Sequence, residues 1–503
     1  MSQHHGADGD DEYGLFVDGA FRSGTSGDRI DVTFPYDGSV WATVPRGTAA
    51  DVDQAVAAAR DAFEGEWGTF GGSERRRVLD QIADVIEAHT DELAELETRQ
   101  NGKLIREMRG QMESLGEWYR YYGGLAEDLG GRSIPVENKA ETGGMTVHTR
   151  EEPLGVVGAI TPWNSPLMLT TWKLAPALAA GNTFVHKPSE ETPVSALRFA
   201  ELVAERTDLP DGVYNVVPGY GPEAGEALVD HDDVDKLAFT GSSTVGREIA
   251  KVAGEQLIPV TLELGGKSPN IVFESANLEN AVNGVIKGIF AATGQTCVAG
   301  SRVFVHETIH DEFVDAFTDR ASEISLGNPL DPDTQMGPIA FPEQWETVAS
   351  YVDRGAEEGA TVAFGGDRPN DLPGECFIEP TILVDVDNDM TVAQEEIFGP
   401  VASVIPFADE AEVIDLANDT DYGLAAGVWT EDMRQANRLV ERIEAGMVWV
   451  NEYRAVSHKV PFGGYKDSGL GRENGREALE EYLQTKSVWY DQSGEVSDPF
   501  SLG

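Results

Sequence analysis

Two cysteines in 503 residues exclude a disulfide framework, and a reduced compartment suits Cys297 and Cys376 better than a pairing between them. Basic residues are also scarce. The chain carries 37 Lys and Arg against 88 Asp and Glu, a formal net charge of −51. A surface of that sign repels nucleic acid and anionic membranes, so neither is expected as a partner. No apolar run approaches the roughly 20 residues that span a bilayer, and the start, MSQHHGADGDDEYG, is no signal peptide. A cytoplasmic protein is expected. His4 and His5 lie in an acidic stretch, residues 1–12, that reads as disordered and not as a metal site, and no metal is assigned anywhere. There is no internal repeat.

What remains is ample. The length allows two or three domains, and 41% of the residues are hydrophobic. Acidic residues are dispersed along the whole chain and not gathered in a tail, and 26 arginines outnumber 11 lysines. Dispersed acid on a foldable sequence points to a halophilic host.

From 51 to 122 the apolar residues recur at three- and four-residue spacing, as in DVDQAVAAARDAF and RRRVLDQIADVIEAHTDELAELETRQNGK, which predicts helices. Strands and helices then alternate: LGVVGAI, NTFVHKPS, VYNVVPG and KLAFTGS read as strands, each followed by a helical stretch. Such alternation predicts a parallel sheet covered by helices, with ligands beyond the carboxyl ends of its strands. A second alternating set starts near 260, with PVTLELGG, PNIVF, RVFVHE, VASVIPF and LAAGVWT as strands. The fold class is therefore α/β with two parallel domains and a boundary near 260. Two pieces, GGMTVHTREEPLG and the tail GREALEEYLQTKSVWYDQ, have no place in either sheet and could pair with each other as an arm.

Three strand–helix junctions could hold a dinucleotide, although the usual G-x-G-x-x-G is missing. GYGPEAG, with Gly221 and Gly225, follows a strand and opens a helix but is one residue too long. In FTGSSTVG, Phe239 to Gly246, Gly241 allows close backbone approach and Ser242 can cap a helix whose free N–H groups suit a pyrophosphate. HKPSE places Lys187 and Glu190 at a strand end, where an acid can accept both ribose hydroxyls of NAD. Each is also an ordinary capped turn or surface pair when taken alone. Cys297, in AATGQTCVAGSR, is either a small buried hydrophobe or a nucleophile, and needs a base and an oxyanion site to be the latter.

The motifs TPWN (161–164), KPSE (187–190), FTGSSTVG (239–246), LELGGKSP (262–269), GQTCVAGSR (294–302), EEIFGPV (395–401) and PFGGYKDSGLGRE (461–473) stand in order. With them the chain resembles the NAD(P)-dependent aldehyde dehydrogenases of the hydrolytic, non-CoA-acylating type over about residues 15–490. The resemblance implies a cofactor domain from 13–124 and 151–260, a catalytic domain from 261–450, an oligomerisation arm from 125–150 and 485–503, and a segment, 451–484, that returns to the cofactor side. It implies a homodimer or homotetramer. Cys297 matches the nucleophile, Glu263 the general base and Asn164 the oxyanion donor. Thr161, Trp163, Lys187, Glu190, Gly221, Gly225, Phe239, Gly241, Ser242, Gly246, Glu396 and Phe398 match cofactor contacts. NAD is favoured over NADP, because a 2′-phosphate would meet the Glu190 carboxylate. Met168, Trp172, Val298 and Phe462 should line the tunnel for a small aldehyde, and Arg454 could bind a carboxylate and select a semialdehyde. A CoA-acylating relative is disfavoured by Glu263, and a non-catalytic relative by the retention of Cys297, Glu263 and Asn164. A thiol protease lacks a Cys–His–Asn set.

The charge balance generates a direct expectation. Carboxylate repulsion reaches about 30 Å at 0.01 M salt and about 3 Å at 1 M, so molar KCl should remove most of it. Thermal unfolding and size exclusion across ~0.05–3 M KCl should show a rising Tm and a retained oligomer. A flat Tm with an unchanged elution volume would show that the acidic surface is no halophilic adaptation.

Overall fold

The computed structural model describes residues 11–136, 144–492, 494 and 498–500. The expected disordered start, with His4 and His5, lies outside the described residues up to residue 10, but its last two residues, Asp11–Glu12, are ordered as a strand paired with Ala42 and Thr43; parts of the expected arm segments also lie outside the described residues.

The first sheet has eight strands in the order Gly469–Leu470, Val260–Glu263, Lys236–Thr240, Val156–Ile160, Thr183–Lys187, Tyr214–Val216, Leu15–Val17 and Ala20–Arg22. The five central strands are parallel, and antiparallel partners close both edges. Parallel strands joined by crossover helices are buried on both faces, which is why these segments read as continuous apolar runs. The second sheet has seven strands, centred on Arg302–His306 and Pro269–Val272, and is parallel except for its Thr361–Phe364 edge. Two parallel α/β units and an arm are therefore the observed architecture.

One strand lies elsewhere than expected. Val260–Glu263, read above as the opening of the second set, belongs to the first sheet, where Leu237–Thr240 pair with it residue for residue. The Gly241 N–H continues the ladder by donating to the Glu263 carbonyl at 3.0 Å. The chain passes from one sheet to the other between Glu263 and Pro269, through Gly265 and Gly266.

The predicted helical region folds as Ala49–Glu64, Gly72–Ala88, Thr90–Asn101 and Ile105–Glu127. Val78, Leu79, Ile82 and Ile86 form one buried stripe, and Met108, Met112, Leu115, Tyr119 and Tyr122 form another. Both stripes follow the 3.6-residue period, so the helices pack on each other and on the first sheet. The two segments without a place in the main sheets do pair: Leu483–Asp491 runs antiparallel to Met145–Pro153 over its whole length, with Ser133–Ile134 on the far side. This third sheet leaves Trp489, Tyr490 and Met145 exposed. No helix among the described residues is long and apolar enough to cross a membrane.

The helix Pro166–Ala180 is buried almost all round. Its Lys173 Nζ donates to the Thr240 hydroxyl at 2.6 Å and pairs with the Glu473 carboxylate. Both charged side chains are shielded from water, at 0% and 4% exposure, so each depends on the other. Lys173→Met should strand the Glu473 charge and cost about 3–5 kcal/mol in urea unfolding, with much of the loss recovered in Lys173→Met/Glu473→Gln. An unchanged midpoint in the single variant would contradict this.

Candidate active site

Beyond the helix Leu278–Ile289, the backbone turns through three consecutive left-handed residues: Ala292 (φ 55°), Thr293 (φ 56°) and Gly294 (φ 67°). Non-glycine residues tolerate that region at a cost of order 1 kcal/mol or more, so neighbouring structure must hold them there. The Thr293 hydroxyl donates to the Gly337 carbonyl at 3.2 Å, and the Gln295 side chain receives the Ala340 N–H at 2.9 Å. Gly294 packs on the Gly399 carbonyl with no room for a Cβ. The loop so fixed delivers Cys297 to the seam between the sheets. A Cβ at Gly266 would stand 2.5 Å from the Cys297 carbonyl oxygen, so the crossing segment and the cysteine loop touch backbone to backbone. Asn164, between the strand Val156–Ile160 and the helix Pro166–Ala180, donates its Nδ2 to the Gln295 carbonyl at 3.1 Å. That amide thus lies beside the cysteine loop.

Two cavities meet at Cys297, Asn164 and Leu169. One, about 440 Å³, is lined by all five residues expected on the substrate side: Met168, Trp172, Val298, Arg454 and Phe462. The other, about 230 Å³, is lined by Trp163, Gly241, Ser242, Glu396 and Phe398. The remaining expected cofactor residues do not line that second cavity. Lys187 and Glu190 form an ion pair at 3.0 Å at the end of Thr183–Lys187. Gly225 packs near the Lys187 stem, and Gly221 is exposed at the start of the same turn. The Thr161 hydroxyl points inward, 2.8 Å from His186 Nε2. The Phe239 ring lies under Gly241, and a Cβ at Gly246 would come within 2.5 Å of Leu264.

Sequence reasoning missed several lining residues. Lys103, Glu107, Met108 and Gln111 come from the start of the helix Ile105–Glu127 and its approach, and Lys287 from Leu278–Ile289. Thr240, Gln344 and Thr347 join the cofactor side. The i, i+4 spacing of Glu107 and Gln111 was an available signal that they share a face.

Burial dominates the electrostatics. It pushes the Cys297 thiol up to about 12, assisted by the fields of Glu396 and Glu263 and opposed by the Val298 N–H and Lys103. Glu263 is raised well above the usual carboxylate range by burial and by Glu473, against Lys173 and Arg472. Neither of its carboxyl oxygens has a hydrogen-bond partner among the described residues. Burial lifts Glu396 to about 7, opposed by a 3.0 Å hydrogen bond from the Gly266 N–H and by Lys267. A carboxyl that titrates near neutrality, as Glu396 does, can hold or take up a proton in the working range.

The cofactor side fits a dinucleotide. The helix Ser243–Gln256 presents its N-terminus beside Gly241 and Ser242, and the Ser242 hydroxyl caps it by accepting from the Val245 N–H. Free N–H groups at such an end suit a pyrophosphate. Trp163 and Phe398 pack edge to face at 5.1 Å, and Gln344 Nε2 donates to the Ile397 and Phe398 carbonyls, fixing the wall that carries Glu396.

Cys297 follows a loop pinned in left-handed backbone and stands where a cavity of about 440 Å³ meets one of about 230 Å³ lined by residues at a helix N-terminus, an arrangement that suits thiol chemistry beside an anionic cofactor group. Comparison with known proteins narrows the class. The aldehyde dehydrogenase family model matches residues 21–488. An aldehyde dehydrogenase of Emericella nidulans is 46% identical over 478 residues, covering 95% of each chain. A betaine aldehyde dehydrogenase of Brucella melitensis is 45% identical, covering 96% of this chain and 98% of the relative. The NAD+ complex of aldehyde dehydrogenase from Bacillus cereus superposes with a TM-score of 0.93 at 45% identity, covering 96% and 97%. The chain belongs to the aldehyde dehydrogenase family, and its activity is NAD(P)-dependent oxidation of an aldehyde through a cysteine thioester that is then hydrolysed.

The raised thiol makes a measurable statement. Below its pKa the thiolate fraction grows tenfold per pH unit, so alkylation of Cys297 by iodoacetamide in the cofactor-free protein should climb with unit slope from pH 7 to 10, followed on its peptide by mass spectrometry. A plateau near pH 8.5, the level of an unperturbed thiol, would contradict the burial.

Proposed function

We propose that Cys297 is the nucleophile, Glu263 the base and Asn164 the oxyanion donor of an NAD-dependent aldehyde oxidation. The observation that carries the roles of Cys297 and Asn164 is the meeting of both cavities at these residues; Glu263 lines neither cavity, and its role is supported by the family motif and by its two buried carboxyl oxygens, which have no hydrogen-bond partner among the described residues. The Cys297 thiol gives its proton to Glu263, directly or through water, and Glu263 passes it to solvent; the sulfur attacks the carbonyl carbon, and the carbonyl electron pair moves onto oxygen, where Asn164 Nδ2 and the Cys297 N–H receive it. When bound, NAD supplies the hydride acceptor. Collapse of the oxyanion expels the hydride from the thiohemiacetal carbon and leaves a thioester on Cys297. Glu263 takes a proton from water, the water oxygen attacks the thioester carbon, and the carboxylic acid departs as the C–S bond breaks. A base of high proton affinity suits that second step, and Glu263 supports hydrolysis over transfer to CoA.

NAD is the preferred cofactor in this reading. Solved relatives carry NAD+, and the Lys187–Glu190 pair sets a carboxylate where a 2′-phosphate would be repelled. The cofactor domain comprises 13–124 and 151–263, taking in the strand that ends at Glu263. The segment 451–484 returns to it, consistent with the pairing of Gly469–Leu470 on Val260–Glu263. The third sheet, with its exposed aromatic edge, serves as the arm of a homodimer or homotetramer. The protein works in the cytoplasm on a small aldehyde.

Cys297→Ala should lower turnover by ~10³-fold or more while NAD still binds, read by reduced-cofactor absorbance and calorimetry. Retained turnover would remove Cys297 from the mechanism. Glu190→Gln should raise kcat/KM for NADP relative to NAD, and an unchanged ratio would place Glu190 away from the adenine ribose.

A further inference from the structure

The chain as a whole is acidic, yet the substrate-side cavity is not. Of its four charged lining residues, Lys103, Lys287 and Arg454 are cationic and only Glu107 is anionic. Among all residues the balance is reversed, with 88 acids to 37 bases. A chain so poor in basic residues has gathered three of them around one small cavity.

Two of these cations lack a carboxylate partner among the described residues. Arg454 donates only to the Lys287 backbone carbonyl, at 3.4 Å, and its backbone is held left-handed at φ 64°. Lys103 is buried, and its Nζ donates to the Ser165 hydroxyl at 2.9 Å. Burial and the neighbouring Arg454 charge draw Lys103 down to about 8, opposed by the fields of Glu107 and Glu97, neither of which forms an ion pair with it. Lys287 differs, since Glu452 pairs with it at 2.5 Å on the outer side. Buried or half-buried charge without a counter-ion is costly, and a guanidinium is built to receive a carboxylate through two parallel hydrogen bonds.

We infer that the substrate is an aldehyde whose far end carries a carboxylate, a short semialdehyde, held by Arg454 and the Lys103 side of the cavity while its carbonyl reaches Cys297. This rests on the aldehyde-oxidising reading of the same site. A cationic aldehyde, such as the one named for the Brucella relative, is disfavoured by Arg454 and Lys103, the two lining cations without a carboxylate partner among the described residues. The aromatic surface that could stabilise a cation is limited to Trp172 and Phe462 in the lining. The acidic exterior repels an anionic substrate in dilute buffer, and the cationic cavity offers it a local well once screening has reduced that repulsion.

The test compares kcat/KM, at one fixed molar KCl concentration, for three aldehydes of matched length: one ending in methyl, one in carboxylate and one in trimethylammonium. The carboxylate-ended aldehyde should exceed the methyl-ended one by about 10- to 100-fold, the range of a charge-assisted hydrogen bond, and the trimethylammonium one should be poorest. Arg454→Gln should collapse the carboxylate-to-methyl ratio toward one, chiefly through KM. A dicarboxylate of the same length should inhibit the wild-type enzyme competitively and the variant weakly, a measurement that does not depend on turnover of the charged aldehyde. Equal use of the methyl- and carboxylate-ended aldehydes, preference for the cationic one, or an unchanged ratio in Arg454→Gln would overturn the assignment. Failure of all three aldehydes to reduce NAD would instead count against the underlying reading.

Discussion

The contact between the Gly265–Gly266 turn and the cysteine loop sets the rest of the site. The chain leaves the first sheet at Glu263 and enters the second at Pro269, and in between it must pass against the Cys297 carbonyl and the Glu396 carboxylate. A Cβ at Gly265 would meet Glu396 at 2.5 Å, and one at Gly266 would meet Cys297 equally closely. Bare backbone is the only surface that fits. The same turn donates the Gly266 N–H to Glu396. One short crossing thereby fixes Glu263, the proposed base, at its upstream end, Cys297, the proposed nucleophile, against its middle, and Glu396, a candidate cofactor-binding acid, beside it.

This arrangement explains why strain collects where it does. Three successive left-handed residues would unravel on an open loop, but here they are pinned by Gly337, Ala340 and Gly399 from a different part of the chain. Burial acts in concert with the geometry. It pushes the Cys297 thiol up and Glu263 well above the usual carboxylate range, and leaves the Glu263 oxygens without hydrogen-bond partners among the described residues. Activation must then come from a change in that environment as the cavities fill, which guards the thiol from adventitious chemistry.

Much of this was legible because the candidate residues sit in short contiguous motifs, two of them, TPWN and LELGG, at strand ends. GQTC, LELGG and TPWN each carry one side chain that the resemblance singles out, and the alternation of strands and helices predicted the fold class. Assignment of a strand to its sheet was not legible: Val260–Glu263 follows a helix as any strand would, and only the ladder to Leu237–Thr240 shows where it belongs. The pairing of the two segments outside the main sheets could be anticipated, because neither had an obvious place elsewhere. The lining cations Lys103 and Lys287 were hidden for a different reason. On a helical pattern both look like solvated charges; Lys103 reaches Cys297 by packing of elements almost 200 residues apart in the chain, whereas Lys287 stands on the helix Leu278–Ile289 that leads into the cysteine loop. Arg454 was visible as a loop residue, but its want of a carboxylate partner was not.

The central claim is that two carbon–sulfur events occur at Cys297, bond formation before hydride loss and bond cleavage with help from Glu263. Acid-quench mass spectrometry of Glu263→Gln, mixed with NAD and a turned-over aldehyde, tests it most directly. The account predicts that the peptide containing Cys297 gains the mass of the acyl group, the aldehyde less one hydrogen, in exchange for its thiol hydrogen, as reduced cofactor appears in near-stoichiometric amount. An adduct on Cys376, or reduced cofactor formed at full rate with no adduct on Cys297 at any time, would contradict it.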